Sequence, residues 1–302
     1  MEGFHYQRYV LTLMLFLAVF MAYALRMCLA VSITVMVSHH EIKGKLDPNG
    51  CPHLETENAT VSESKGGHEF DWDEKTQGFI LSSFYWGYVI MHIPGGILAQ
   101  KFGGKHTLGV GILLTALFTL LSPLAAHAGA WWFMLVRFLE GLGEGTTFPG
   151  LNQMLAQWIP LTERGRVGSF VFAGIMAGSM ASSAISGFIL HWTNNYWPLV
   201  FYFFGGLSLL WYLIWNIICY NDPGSHPWIS QKEKDYLEKE LGGLSRRKDL
   251  PPTPWRDIAM SPPVIALVVA QLGHDWGLFT ISTDLPKYMH SVLKFNVASV
   301  SI

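Results

Sequence analysis

Three stretches of this chain contain no Asp, Glu, Lys or Arg: Thr76 to Gln100, His106 to Val136 and Val167 to Asn221. A helix crosses the apolar interior of a bilayer with about 20 mostly apolar residues. The first two stretches are each long enough for one crossing, and the third for two. A soluble core helix has little use for so long an uncharged run. Composition agrees: 14% of residues are charged and 50% hydrophobic, against about 25% charged in ordinary soluble domains. The reading is an all-α polytopic membrane protein.

Seven spans are expected, at about 9–37, 76–98, 107–126, 131–155, 168–191, 197–219 and 262–285. Pro123 with His127 to Gly129 separates the third from the fourth, and His191 to Trp197 the fifth from the sixth. The first span is too long for the apolar region of a signal peptide and lacks a clear small-residue cleavage site, so it reads as retained. Three parts follow: residues 1–219 as a six-span half with an extracytoplasmic loop at 38–75, residues 220–261 as a cytoplasmic linker between halves, and residues 262–302 as the start of a second half. Within the linker, Ser230 and Glu233 sit at capping-box positions for a surface helix. Cys28 and Cys219 lie in apolar segments and Cys51 alone in a polar loop, which argues against a disulfide framework. The net charge of −2 points to no nucleic-acid partner.

Lys and Arg counts set the orientation. With the N-terminus cytoplasmic, Arg8, Lys101, Lys105, Arg164, Arg166 and seven residues of 220–261 lie inside, twelve in all. Six lie outside, four of them in 38–75. The sequon Asn58-Ala59-Thr60 then falls on the outer or lumenal side, where Asn58 can be glycosylated.

Four ionisable residues lie where apolar helix is expected: Arg26 in the first span, and Arg137, Glu140 and Glu144 in the fourth. Each costs about 2.5–3.5 kcal/mol on insertion scales, so they face one another or a pathway. Arg137, Glu140 and Glu144 stand at i, i+3 and i+7, one helical face, and Arg137 can pair with Glu140. A buried guanidinium is a good ligand for carboxylate or phosphate. Burial favours the neutral carboxyl and a neighbouring arginine favours the carboxylate, so such a pair can couple anion binding to a proton. The alternative is a static ion pair locking helices together, which accounts less well for Arg26 and Glu144, neither having a partner nearby in sequence. In folds built from inverted three-span repeats the first and fourth spans are equivalent, and both arginines sit on them. Gly141, Gly143, Gly145 and the Gly174/Gly178 pair permit close helix contact. The scattered histidines supply no catalytic or metal constellation, and His39-His40 reads as solvated. No enzyme, metal or cofactor is expected beyond a coupling ion, H+ or Na+.

The loop after the second span, Gly95-Gly96-Ile97-Leu98-Ala99-Gln100-Lys101-Phe102-Gly103-Gly104-Lys105, resembles the major facilitator superfamily signature G-x-L-A-D-x-x-G-x-K. Gly96, Gly103 and Lys105 occupy gating-loop positions, and Gln100 replaces the usual aspartate, which weakens the gating ion pair. Tyr23 to Arg26, Ser83 to Tyr88, Ile93 to Gly96 and Arg137 to Pro149 resemble the anion:cation symporter branch of sodium/phosphate cotransporters, sialin and vesicular glutamate transporters. Gly273 to Phe279 is most similar to insect members described as inorganic phosphate cotransporters.

The resemblance implies a small anionic substrate held by Arg26 and Arg137 with Tyr23 beside them, protonation at Glu144 and support from Glu140. Leu81 and His274 stand where the vesicular glutamate transporters carry a histidine and an arginine, which argues against glutamate. A full member has two six-span halves, and after Ser299 the family continues with an Asn-Gly pair that this chain lacks. The expectation is a truncated chain that transports poorly alone. The leading reading is a sodium- or proton-driven anion symporter of the plasma membrane or of a lysosomal or vesicular membrane. The alternatives are a sialin-like organic-anion transporter, or a non-transporting isoform with a regulatory role.

Overall fold

The computed structural model describes residues 7–37, 70–241 and 254–291, with no account of the side chains of Glu74, Trp255 and 278–291. Asn58, Cys51 and the His39-His40 pair lie outside the described residues. The chain divides into two units, Met1–Arg246 and Arg247–Ile302. The first holds α1 (Gln7–Met36), α2 (Glu74–Phe102), α3 (Gly104–Ala128), α4 (Ala130–Glu144), α5 (Thr147–Trp158), α6 (Leu161–Trp192), α7 (Pro198–Ile218) and α8 (Gln231–Glu240). The second holds the short α9 (Trp255–Ala259) and α10 (Pro262–Ser291). Four helices, α1, α3, α6 and α7, are individually long and apolar enough to cross a membrane. An apolar medium leaves the backbone no partner but itself, which is why a chain of this composition is helical almost throughout its described length.

The helices run past most of the expected span limits. α2 continues to Phe102 and α6 begins at Leu161, so Lys101, Arg164 and Arg166 are helical rather than in loops. α3 continues through Pro123 and stops only at Gly129, whose φ of 127° no L-residue adopts easily. Asn194 and Asn195, with φ of 50° and 67°, turn the chain between α6 and α7.

The fourth span is not one helix. It divides at Gly145-Thr146 into α4 and α5. Pro149 has no N–H, so the Gly145 carbonyl loses its expected helical donor, while the Thr146 amide turns back to Gly143 at 3.4 Å.

Close backbone approach assembles the bundle. An added Cβ at Gly87 would come within 2.1 Å of the Phe138 carbonyl oxygen, and one at Gly141 within 2.0 Å of that of Phe84, so α2 and α4 touch backbone to backbone. α1 meets α6 in the same way: Gly178 would place a Cβ 2.4 Å from the Phe20 carbonyl oxygen. Small residues allow this wherever lipid, being as apolar as leucine, gives helices no hydrophobic reason to associate. Gly141→Ala is therefore expected to force α2 and α4 apart and to destabilise the bundle by about 1–3 kcal/mol, as overpacking does. Thermal unfolding of the purified variant measures it.

Two buried clusters fill the interior. Leu11, Leu15, Trp158, Trp215 and Leu237 belong to the one near the N-terminus; Leu25, Met36, Phe133, Trp197 and Phe201 belong to the other. On α1 the first cluster ends at Met21 and the second begins at Ala24. Arg26 lies just past that junction, about two thirds of the way along the helix.

The linker helix α8 belongs to the bundle. Ser230 accepts from the Glu233 amide at 3.4 Å, one half of the expected capping box. The Glu233 carboxylate goes elsewhere, accepting from the amides of Gln7 (3.1 Å) and Arg8 (3.2 Å) and so capping α1. A carboxylate at a helix N-terminus meets both unpaired N–H groups and the positive end of the dipole. Arg8 then bridges to Glu163 of α6 at 3.1 Å. Glu233→Ala is expected to cost about 0.5–2 kcal/mol, the usual value of a lost cap, and to speed amide hydrogen exchange over the first turn of α1.

Candidate functional site

Arg26, Arg137, Glu140 and Glu144 converge in the middle of the bundle. Arg137 Nη1 donates to Glu140 at 2.8 Å, the pairing its spacing predicts. Glu140 also accepts from the Ser122 hydroxyl of α3 at 2.8 Å, and the Thr115 hydroxyl donates to the Glu140 carbonyl at 3.3 Å. Sequence gives Glu144 and Arg26 no partner, yet they pair with one another across α4 and α1, Arg26 Nη2 to Glu144 at 2.5 Å. The site is thus two ion pairs, one within α4 and one between helices.

The two arginines differ in access. Arg137 is sealed, its side chain 2% exposed, with the rings of Phe133 and Phe201 each 5.6 Å from the guanidinium carbon and Cys28 among its electrostatic neighbours. Arg26 is 12% exposed and ringed by aromatics: Tyr23 at 4.6 Å, Tyr88 at 4.9 Å, Phe84 at 5.0 Å and Tyr85 at 5.8 Å. Such faces attract a cation, and they hold the guanidinium in place. Tyr23 stands beside Arg26 as the resemblance implied. Tyr88, Phe84 and Tyr85 serve the sequence reading only as family signature, although their spacing along α2 puts them on one helical face. Ser122 escaped that reading; a lone serine in an apolar run carries no signal of its own.

Both pairs are incomplete. Among the described residues, Arg26 Nε, Arg137 Nε and Nη2, and Glu144 Oε2 are buried with no hydrogen-bond partner, the Cys28 thiol beside Arg137 aside. Leaving buried polar groups unpaired costs stability, and such orphans concentrate where a ligand or proton completes the set. Two guanidiniums with open N–H positions can receive an anion, and a buried carboxylate with a free oxygen can receive a proton.

Of the three residues expected in a gating loop, Gly96 lies within α2 and Lys105 within α3, and Gly103 alone of the three separates the two helices, at the end of the bundle near Gln7. Gly103, with φ 87°, packs against the Asn221 side chain. The Lys105 amide donates to Asn221 Oδ1 at 2.9 Å and its Nζ to the Asn216 carbonyl at 3.0 Å. Trp158 Nε1 reaches the carbonyls of Tyr220 and Asn221, each at 3.0 Å. Lys105 thus anchors the end of α7, while Gly96 faces open space. Nearby, burial holds the His226 imidazole below its usual range. His274 is exposed on α10 in the second unit.

Charges buried in a bundle of apolar helices are met inside the protein rather than by lipid. The profile of the Major Facilitator Superfamily matches residues 15–302, and the chain belongs to that family. It is 40% identical over 292 residues to human sialin, covering 96% of this chain and 58% of sialin. It is also 40% identical over 294 residues to a Drosophila melanogaster protein named as a candidate inorganic phosphate cotransporter, covering 97% of this chain and 55% of that protein. A zebrafish (Danio rerio) vesicular glutamate transporter 3 is 31% identical over 299 residues, covering 98% and 48%. These relatives belong to the anion:cation symporter branch. The proton:xylose symporter XylE shares the fold, with a TM-score of 0.65 at 16% identity over 94% of this chain and 63% of that one. The chain spans about half the length of the curated relatives it matches.

Proposed function

We propose that the protein is a secondary active transporter of anions, inorganic phosphate or small organic anions, driven by a sodium or proton gradient through alternating access. The observation that carries this reading is the pair of buried arginines on α1 and α4, each tied to a carboxylate and each with guanidinium nitrogens unpaired. Arg26, the more accessible, meets the anion first, with Tyr23 beside it. Arg137 supplies positive charge behind it. Glu144 exchanges Arg26 for a proton when the anion arrives, and Glu140, fixed by Ser122 and Arg137, keeps Arg137 aimed. The names of the relatives, candidate phosphate cotransporter and sialin among them, support a small anionic cargo.

In this reading residues 1–219 are the N-terminal half, 220–261 the cytoplasmic linker and 262–302 the start of the second half. The basic residues at the Gln7 end support a cytoplasmic N-terminus by the positive-inside rule, with Asn58 outside.

Proteoliposomes with imposed pH or sodium gradients test the proposal, using labelled phosphate, sialic acid and glucuronic acid. Thermal-shift titration with the same anions reads binding apart from transport. One of the anions is expected to be taken up under one of the gradients and to raise the melting temperature. Binding and uptake unchanged in Arg26→Ala would sink the proposed site.

A further inference from the structure

A second cavity lies away from the charged centre. α2 and α3 both pack on α4 but diverge from one another, and the cleft between them holds about 620 Å³. Leu98, Phe102, Val110, Leu114, Leu139 and Leu142 are among its walls. The two hydroxyls that reach it are already used: Thr107 donates to the Gly103 carbonyl at 3.0 Å, and Thr146 to the carbonyls of Thr107 (3.1 Å) and Gly143 (2.9 Å). Apart from His106, a polar solute finds no free side-chain donor there. An alkyl chain needs none, and two of the three surrounding helices, α2 and α3, present further exposed apolar side chains such as Val89, Ile93, Leu117 and Leu121.

The mouth of the cleft has the opposite chemistry. His106 lines it and is exposed. Lys101, also exposed, lies one turn beyond Leu98 on the same side of α2. Lys105, in the first turn of α3, is turned away to the Asn216 carbonyl. No acid occurs between Leu98 and Val110, because Gln100 stands where the signature has aspartate. The mouth therefore has the Lys101 cation and the His106 imidazole, with no acid in the connecting stretch to neutralise them. Basic pockets between spans near the cytoplasmic surface suit anionic headgroups.

We propose that the α2–α3–α4 cleft binds one acyl chain of an anionic phospholipid, with its phosphate against Lys101 and His106. The site is separate from the transport site and rests on the cytoplasmic orientation proposed above, not on anion transport. The replacement of aspartate by Gln100 gives it a charge preference: an acid there would repel the headgroup and pair with Lys101.

The test uses the protein in phosphatidylcholine nanodiscs containing a trace of phosphatidylserine with a diazirine in its acyl chain. Phosphatidylcholine bearing the same chain is the control. Photolabelled peptides are mapped by mass spectrometry. Labelling is expected at 107–118 and 139–146, stronger for phosphatidylserine by about fivefold, the effect of one lysine near an anionic surface. Val110→Trp, which fills the cleft from a partly exposed position, should remove that labelling. Lys101→Gln with His106→Gln leaves the cleft intact and should bring the two lipids to equal labelling. Gln100→Asp should lower the phosphatidylserine signal alone. Equal labelling of the unaltered protein by both lipids would overturn the proposal, leaving only annular lipid. So would a photoreactive residue at position 114 that crosslinks to another protein segment or a second copy instead of to lipid.

Discussion

Arg137→Ala is expected to abolish anion uptake and to destabilise the protein together. The side chain is 2% exposed, and Glu140, its ion-pair partner among the described residues, is 1% exposed. Removing the cation leaves a buried carboxylate with neutral hydroxyl partners, Ser122 and Thr119, and breaking a buried pair from one side costs about 3–5 kcal/mol. Loss of uptake by itself could then reflect misfolding. The double variant Arg137→Ala/Glu140→Gln separates the two effects. It removes the stranded charge, so most of the lost thermal stability should return, while anion affinity stays low by about 10- to 100-fold, the worth of a charge-assisted hydrogen bond of roughly 1.5–3 kcal/mol. A double variant that regains both stability and affinity would reduce Arg137 to a structural lock.

Glu144→Gln is expected to uncouple transport without destroying the site. Glutamine keeps the shape and can still accept from Arg26, but it cannot bind or release a proton. Uptake driven by a pH gradient should fall by about tenfold or more, the effect of roughly 1.4 kcal/mol of lost differential interaction. Exchange of labelled for unlabelled anion at equal pH should persist, because it needs no net proton movement. The carboxylate competes with the anion for Arg26 at 2.5 Å, so its neutral substitute should also tighten anion binding at high pH, where the unaltered protein carries the full negative charge. If the variant still concentrates anion against a pH gradient, the coupling group lies elsewhere. Coupling to sodium would instead leave the pH dependence flat in both proteins.

Some of this architecture follows from residue order alone, and the reason is the solvent. Lipid offers no hydrogen bonds, so uncharged stretches of span length must be helices, and the few charges within them must be met inside the protein. That reasoning leads from Thr76–Gln100, His106–Val136 and Val167–Asn221 to helices, and from Arg26, Arg137, Glu140 and Glu144 to a central polar site. Arg137 with Glu140 is legible for a further reason: both sit on one helix, where a three-residue separation fixes their distance.

Other features depend on contacts between elements distant in sequence, and no local pattern encodes those. Glu144 has no partner within α4; it finds Arg26, 118 positions away, because Gly87, Gly141 and Gly178 let α1, α2, α4 and α6 approach closely enough to bring them together. Glu233 sits where a capping box would use it locally, yet it caps α1 because α8 folds back against the first turn. The break at Gly145-Thr146 arises from one missing N–H at Pro149, a detail that hydropathy does not register. Residue order determined that this protein is a bundle of membrane helices with charge at its centre. The tertiary structure decided which charges pair and which guanidinium nitrogens stay open, because ion pairing acts over a few ångströms and only packing sets which side chains come that near.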